Sequence, residues 1–402
     1  MEEALLQKHL DVFKENCVDL ISEAELCAKL KSALSTHKPL TLKIGFDPTA
    51  RDIHLGHTVL LRKLRKLQDL GHRVCLIIGD FTAKIGDPSG RSALRPVLSD
   101  EEIADNASTY TEQAFKILDK SKTDITPNST WYKNMNISEF LSLFSCYTVA
   151  RMLERDDFSL RMKENKPLTI LELVYPLVQG YDSVKVNADI EFGGTDQKFN
   201  LIVGRHLQEI FNQKPQCIVT MPLLVGLDGG HKMSKSLGNY VGVTEDAKNM
   251  FGKLMSIPDE VMWEYFRLLT DIAPETVKGM HPKEAKLLLA QTLVSFYHSS
   301  AAGIAQKEEF QRVFSQKSIP QDIPIYKVSE QEIDIIETLA QAKVVASKNE
   351  ARRILAQEGV SILDANDPNK ACVVKEQNLH IPAEGAVILK IGKKRFLKII
   401  RA

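Results

Sequence analysis

Apolar and polar positions change period along the first third of the chain. Thr41 to Phe46 reads as a strand running into the polar loop Asp47-Pro48-Thr49-Ala50-Arg51-Asp52. From Leu55 the period lengthens: Val59, Leu60, Leu64 and Leu67 fall at helical spacing, and Gly71 stops the helix. Arg73 to Ile78 is another apolar run of strand length, followed by the loop Gly86-Asp87-Pro88-Ser89-Gly90-Arg91. Ser99, with Glu102 three residues on, writes a capping box for the next helix. Strand, helix, strand, helix with short connections predicts an α/β fold of the doubly wound, Rossmann-like kind. Ligands of such a parallel sheet lie beyond the carboxyl ends of the strands. Asp47, His54 and Asp87 each follow a predicted strand, which puts them on one rim.

Ile137 to Arg161 reads as helical, an insertion or a subunit contact, and Thr169 to Gln179 as a further helix. Phe192-Gly193-Gly194-Thr195-Asp196-Gln197 makes a tight turn between an extended segment and the helix around Leu201 to Phe211. Cys217 to Thr220 has the pattern of the last core strand. From Thr244 to about Val313 the pattern is helical, with Phe251, Leu254, Met255, Met262, Phe266 and Leu268 supplying apolar faces. Ser318 to Pro324 reads as a linker, and the tail as short strands around a helix. The expected division is a Rossmann-like domain over 1–240 with a helical insertion, an all-helical domain over 241–317, a linker over 318–330 and a small α+β domain over 331–402.

Composition narrows the possible partners. Over 402 residues, 52 basic side chains balance 52 acidic ones, so any nucleic-acid site must be a local basic patch rather than a global field. One such patch closes the chain: Lys390, Lys393, Lys394, Arg395, Lys398 and Arg401 follow Glu384 with no further acid. The six cysteines (Cys17, Cys27, Cys75, Cys146, Cys217, Cys372) are scattered, with no C-x-x-C pair, and suit buried free thiols in a reducing cytosol better than zinc or disulfides. No apolar run approaches the ~20 residues of a membrane span. The acidic start, Met1-Glu2-Glu3-Ala4, lacks a signal-peptide pattern. The expected location is the cytoplasm.

Two distant strings carry the chemistry. His54-Leu55-Gly56-His57 sets two imidazoles three apart at a strand-to-helix junction, with a glycine that permits close backbone approach. Alone, a pair of capping histidines is the simpler reading. Lys232-Met233-Ser234-Lys235-Ser236, flanked by Gly229-Gly230 and Gly238, forms a cationic loop with hinge freedom. A solvated surface loop is the bland alternative, as an exposed basic turn is for Arg91 and Arg95. Neutral donors together with ammonium groups that arrive late suit a departing pyrophosphate. The pair in this order points to an ATP-using, adenylate-forming enzyme. Tyr175, Gln179 and Asp182, spaced by four and three, share one helix face and suit a small zwitterion.

These strings resemble the signatures of class I aminoacyl-tRNA synthetases. Gly45-Phe46-Asp47-Pro48-Thr49, Tyr175-x-x-x-Gln179-x-x-Asp182 and Gly193-Gly194-Thr195-Asp196-Gln197 are similar to the bacterial tyrosyl-tRNA synthetases, in order and over nearly the whole chain. The resemblance implies that Tyr175, Gln179 and Asp87 hold an α-amino group and that Asp182 accepts a phenol hydrogen. Gly45, Asp47 and Lys43 would complete the tyrosine site. Gln197 would lie near the reacting carboxylate, and Asp196 would bind the ribose of ATP. Gly56, Gly193, Gly194, Ser234 and Ser236 would meet the rest of the nucleotide. Thr49, His54, His57, Arg91, Arg95, Lys232 and Lys235 would face its phosphates. Magnesium would accompany ATP as substrate without a protein cage, and no prosthetic group is implied.

Lys43 stands where many members carry a tyrosine, and Ile44 where many carry a small polar residue; a subgroup of the bacterial enzymes shares both. The tail from Val344 resembles an RNA-binding module of a ribosomal small-subunit protein. Lys348, Arg352, Arg353, Lys393, Lys394 and Arg395 are then the expected contacts with tRNA(Tyr) phosphates, solubilising charge being the alternative. A homodimer is also implied. The competing readings are a catalytically dead RNA-binding paralogue, which should have lost one of the two strings, and the tryptophan-specific relative.

Overall fold

The computed structural model describes residues 2–89, 98–315, 323–363, 371–382, 386–392 and 395–401. Arg91, Arg95, Lys393, Lys394 and residues 318–322 of the expected linker lie outside the described residues. The chain divides into two compact units, Met1–Ser300 and Ala301–Ala402.

In the first unit α1 (Glu2–Lys14), β1 (Asp19–Ile21) and α2 (Glu23–Thr36) precede β2 (Thr41–Phe46), α3 (Leu55–Asp69) and β3 (Arg73–Ile78). Next come α4 (Thr82–Ile85), α5 (Asp100–Ala114), β4 (Thr123–Pro127) and α6 (Ser129–Tyr132). The helices α7 (Ile137–Phe144), α8 (Val149–Met152) and α9 (Asp156–Lys163) lead to the long α10 (Ile170–Val186). The unit continues with β5 (Ile190–Gly194), α11 (Lys198–Ile210), β6 (Cys217–Met221), α12 (Ala247–Met255), α13 (Asp259–Leu269), α14 (Pro274–Val277) and α15 (Pro282–Tyr297).

The six strands pair in the order β1-β6-β5-β2-β3-β4. All neighbours are parallel except β1, which runs antiparallel to β6. No periodicity announces β1, three residues of mixed pattern. From β2 the chain builds outward through β3 and β4, and β5 and β6 then form on the other side. The order therefore reverses between β2 and β5, the crevice where open α/β sheets bind ligands. Parallel strands with both faces covered are apolar throughout. Leu42, Ile44, Val74, Leu76, Ile190 and Val219 obey this, all at or near zero exposure, whereas the equally buried Lys43 breaks it.

Helix starts follow side-chain chemistry. Ser99 and Glu102 close the expected capping box on α5. Asn136 with Glu139 caps α7, Thr148 caps α8, and Thr169 with Glu172 caps α10. The stretch read as one helical region, Ile137 to Arg161, is thus three short helices. Helices α10 and α11 cross at two glycines: a Cβ on Gly180 would sit 3.0 Å from the backbone of Gly204. That close approach brings Gln179 and Asn200 within hydrogen-bonding reach.

In the second unit α16 (Ser300–Ser315) precedes β7 (Ile325–Val328), β8 (Glu332–Asp334), α17 (Ile335–Gln341), α18 (Lys348–Ala356) and β9 (Val360–Leu363). Then come β10 (Ala371–Val373), β11 (Asn378–His380), β12 (Ala386–Ile391) and β13 (Arg395–Arg401). The strands form a five-stranded sheet, β10-β9-β12-β13-β7, and a separate β11-β8 pair. Two helices, not one, pack on them. Ile335, Leu339, Ala351, Val360, Leu389 and Leu397 form the centre of that core.

Candidate active site

The early histidines sit where β2 has ended and α3 begins. Helix α5 holds the intervening loop: Asn106 donates to the carbonyl of Pro48 (3.0 Å), and Gln113 donates to that of Arg51 (2.8 Å) while accepting from Ile53 N–H (2.6 Å). His54 is the N-cap of α3. Its Nδ1 accepts from Gly56 N–H, and its own N–H donates to His57 Nδ1, both at 3.2 Å. The simpler sequence reading, a capping pair, is therefore realised, and it has a chemical consequence. Both Nδ1 lone pairs are engaged, so each neutral ring carries its hydrogen on Nε2. Burial, aided by nearby Lys235, holds His57 down to about 3. Burial, with His57 and both loop lysines adding to it, holds His54 well below the ordinary imidazole range. The pair supplies two uncharged N–H donors.

The lysine loop meets this corner. Leu55 N–H donates to Val241 O (3.0 Å) and Val243 N–H to Ile53 O (2.9 Å). A Cβ on Gly56 would lie 3.6 Å from that of Met233, which is itself buried. Gly229 and Gly238, at φ +74° and +66°, turn the loop at either end. Lys232 Nζ pairs with Asp196 Oδ2 at 2.7 Å. Lys235 donates to the Tyr110 hydroxyl (3.3 Å) and lies over its ring. Ser234 and Ser236 share a hydroxyl hydrogen bond of 2.8 Å, and Ser234 N–H donates to Asn239 (2.8 Å). Asp196 follows β5, so the end of that strand, the lysine loop and the start of α3 lie together.

Across the same crevice lie two side-chain networks. In the first, Tyr175 donates to Asp47 Oδ2 (2.8 Å), Thr82 donates to Asp47 Oδ1 (2.7 Å), and Asn128 donates to Thr82 (3.1 Å) and to Asp182 Oδ2 (3.3 Å). Trp131 Nε1 donates to Asp182 Oδ1 (3.0 Å). Asp182 is buried, and burial pushes its carboxyl up to about 7 against the opposing pull of Lys43, Asn128 and Trp131. Burial and the fields of Asp47, Asp87 and Asp182 raise the Tyr175 hydroxyl well above its ordinary value. Three carboxylates gathered about one phenol suit a cationic ligand group on one side and a hydrogen-bond donor on the other.

The second network is a closed ring. Arg155 donates to Ser89 Oγ (2.9 Å) and to Asn200 Oδ1 (3.2 Å). Ser89 N–H donates to Asp87 Oδ1 (2.8 Å), and Gln197 donates to Asp87 Oδ2 (2.7 Å). Asn200 completes the ring at Gln197 Oε1 and also reaches Gln179 Oε1, each at 3.0 Å. The structure thus unites Asp87, Gln179 and Gln197 through Arg155, Ser89 and Asn200, which sequence reasoning missed. Trp131, Asn128 and Thr82 were missed as well. Only Trp131, one of two tryptophans, left a compositional trace.

Lys43, expected to complete the tyrosine site, has its hydrogens taken up inside the protein. Its ammonium donates to Gln179 O (3.0 Å), Ser183 Oγ (2.7 Å) and Glu191 Oε1 (2.7 Å), which uses all three of its hydrogens. Ile44 is core, paired in register with Leu76. Gly45 in β2 is exposed, Thr49 half-buried, and Gly193 and Gly194 end β5. In the second unit Arg352 and Arg353 are exposed and Lys348 pairs with Glu337 (2.9 Å). Arg395 is bound into the fold, donating to Val344 O (2.9 Å) and Glu350 Oε1 (3.0 Å). No group of three or more His, Cys, Asp or Glu among the described residues is placed to hold a metal ion. None of the described helices is long and apolar enough to cross a membrane.

The fold is that of the class I tRNA synthetases: the family described as "tRNA synthetases class I (W and Y)" matches residues 35–315. A second family, "Tyrosine--tRNA ligase SYY-like C-terminal domain", matches residues 315–399. The chain is 49% identical to a tyrosine–tRNA ligase of Aquifex aeolicus (strain VF5) over 98% of its own length and 99% of the relative's. It is 48% identical to that of Desulfotalea psychrophila over the full length of both. The chain belongs to the tyrosine–tRNA ligase family. In fold it is similar to a tyrosyl-tRNA synthetase of Archaeoglobus fulgidus solved with L-tyrosine, at a TM-score of 0.62 and 22% identity, over 74% of this chain and 99% of that one.

Proposed function

We propose that this chain activates L-tyrosine with ATP, forming tyrosyl-adenylate and pyrophosphate, and then transfers the tyrosyl group to the 3′ end of tRNA(Tyr), releasing AMP. The observation that carries the reading is the meeting of the two basic motifs: the lysine loop lies against the start of α3, and Lys232 reaches Asp196 at the end of β5. A nucleotide bound at that corner would have Asp196 for its ribose, the N–H groups of His54 and His57 and the Thr49 hydroxyl for its phosphates, and two ammonium groups for departing pyrophosphate. Gly45, Gly56, Gly193 and Gly194 admit it, and Ser234 and Ser236 border it. Asp87, Tyr175 and Gln179, with Asp47, would hold the α-ammonium of tyrosine, Asp182 would accept its phenol hydrogen, and Gln197 would lie by its carboxylate.

The carboxylate attacks the α-phosphorus in line. Catalysis needs no covalent intermediate with the protein; it is positioning plus electrostatics. Magnesium arrives on the ATP phosphates, where it neutralises their charge. Arg91 and Arg95 are candidates for further phosphate contacts.

We assign tRNA binding to the C-terminal unit through Lys348, Arg352, Arg353, Lys393 and Lys394, with the helices after residue 240 on the anticodon side. Arg395 supports that surface. Helices α7 to α9 and the start of α10 expose Ile137, Leu141, Val149, Leu160 and Ile170, the first and last at 79% and 80%. An apolar face of this kind suits burial against a second copy, so we propose a homodimer. Lys43 marks the subgroup in which the usual pocket tyrosine is replaced, and the reaction belongs in the cytoplasm. Amino-acid-dependent ATP–pyrophosphate exchange tests the whole reading. Exchange with tyrosine, and little with tryptophan or phenylalanine, is expected; exchange with tryptophan instead, or with none of the three, would overturn it.

A further inference from the structure

A lysine with no exposed surface, in the middle of a parallel sheet, needs a reason. Lys43 and Glu191 form an ion pair whose side chains are each 1% exposed. Such a pair gives up the hydration of both charges and is seldom justified by stability alone. Its surroundings supply the reason. The Lys43 ammonium binds Gln179 O and Ser183 Oγ, the residues three before and one after Asp182 on α10. Glu191 is held in turn by Ser183 Oγ (2.9 Å) and by the amide of Gln216. The clamp therefore grips α10 on both sides of Asp182, and it sets one positive charge against the burial that raises the Asp182 carboxyl.

We propose that Lys43 is a specificity-determining positioning residue: it touches no substrate, but fixes the Gln179–Ser183 turn of α10 and favours the hydrogen-bond-accepting form of Asp182 toward the substrate phenol. This rests on the role given to Asp182 above. The charges that bear on Asp182 are Lys43 from β2, of opposite sign, and Glu191 from β5, of like sign, with Asp47 and Asp87 gathered beyond Tyr175. Tyr132 from α6, Tyr175 from α10 and Cys75 from β3 are buried and neutral, their acidities suppressed. Lys43 and Glu191 pull the Asp182 carboxyl in opposite directions, and this opposition gives the test its sign.

The measurement is the pH profile of kcat/KM for tyrosine in ATP–pyrophosphate exchange by the full-length chain, which reports ionisations of the free enzyme. In Lys43→Gln the acid limb should move to higher pH, by about one unit for loss of a nearby opposite charge. In Glu191→Gln it should move to lower pH. Lys43→Arg should keep the wild-type midpoint, and the low exchange supported by phenylalanine should show no such limb. A merely structural clamp would lower kcat/KM in both neutral variants without displacing the midpoint, and a phenol-contacting Lys43 would lower it equally at every pH; either result overturns the proposal. Should Lys43→Gln fail to fold, Glu191→Gln decides: an acid shift supports the proposal, and an unmoved or alkaline-shifted midpoint overturns it. Absence of tyrosine-dependent exchange in the wild type would instead overturn the reading of the site.

Discussion

Lys232 and Asp196 hold each other across the nucleotide corner, ammonium to carboxylate at 2.7 Å. The carboxylate proposed for the ribose therefore also restrains a loop lysine. A ribose that took Asp196 would free the ammonium for the phosphates. Lys232→Ala should slow adenylate formation by about a hundredfold or more, the scale of losing one charge-stabilising donor. Tyrosine affinity should stay nearly unchanged. Stopped-flow adenylate formation beside equilibrium tyrosine binding checks this; equal losses in both would count against the loop's role.

Asp182→Ala removes the acceptor proposed for the phenol, leaves Trp131 Nε1 without its buried partner and leaves Asn128 Nδ2 only Thr82. The expected loss of discrimination between tyrosine and phenylalanine is about tenfold to a hundredfold, from about 1–3 kcal/mol per unpaired buried group. Competition between the two amino acids in the exchange assay measures it. Unchanged selectivity would remove Asp182 from the pocket.

Arg155, the residue before α9, closes the ring that orients Asp87, Gln197 and Gln179. Arg155→Met should raise KM for tyrosine about tenfold or more, the cost of hydrogen bonds to a charged donor. KM for ATP should change little. Steady-state exchange separates the two constants, and a change confined to ATP would refute the assignment.

His9 and His72 pair in the interior of the first unit, Nδ1 to Nε2 at 3.0 Å. Leu40 N–H donates to His72 Nδ1 (3.3 Å), so the His72 hydrogen sits on Nε2 and donates to His9. Burial and the neighbouring His9 hold His72 down to about 4, against about 6.5 in an unfolded chain. Between those values the unfolded chain takes up a proton that the folded one refuses, so stability falls as pH drops through that window. His72→Gln should be less stable than wild type at pH 7, and the gap should narrow towards pH 4. Thermal denaturation of both proteins across that range is the check; a constant gap would exclude a neutral buried His72.

Removing everything after Ser315 leaves the site's residues in place. Adenylate formation should survive. Aminoacylation should fall by about a hundredfold, as when one of two linked binding regions is lost. Intact charging by the truncated chain would refute RNA binding by the second unit.

The sheet and its rim were legible because period, capping residues and glycines act locally. Thr41–Phe46, Arg73–Ile78 and the Ser99 box needed only their neighbours to be read. The spacing of Tyr175, Gln179 and Asp182 likewise places them on one helix face. The rest was hidden because its cause lies far away in the chain. Nothing near Arg155 shows that its guanidinium meets Ser89 and Asn200, and nothing near Lys43 shows a carboxylate at position 191. A buried cation in an apolar strand is the one local sign that a distant partner must exist. Strand β1 was invisible because three residues of mixed character carry no period.

That short strand has a consequence for solubility. Without it β6 would end the sheet, offering Ile218, Val219 and Thr220 as a row of unpaired backbone groups, a ready template for pairing with foreign strands. Asp19–Ile21 occupies those groups in antiparallel register and stops after three residues, too short to recruit another chain. The strand Asp19–Ile21 is therefore a cover for that edge, and a chain shortened past it should self-associate before any loss of chemistry.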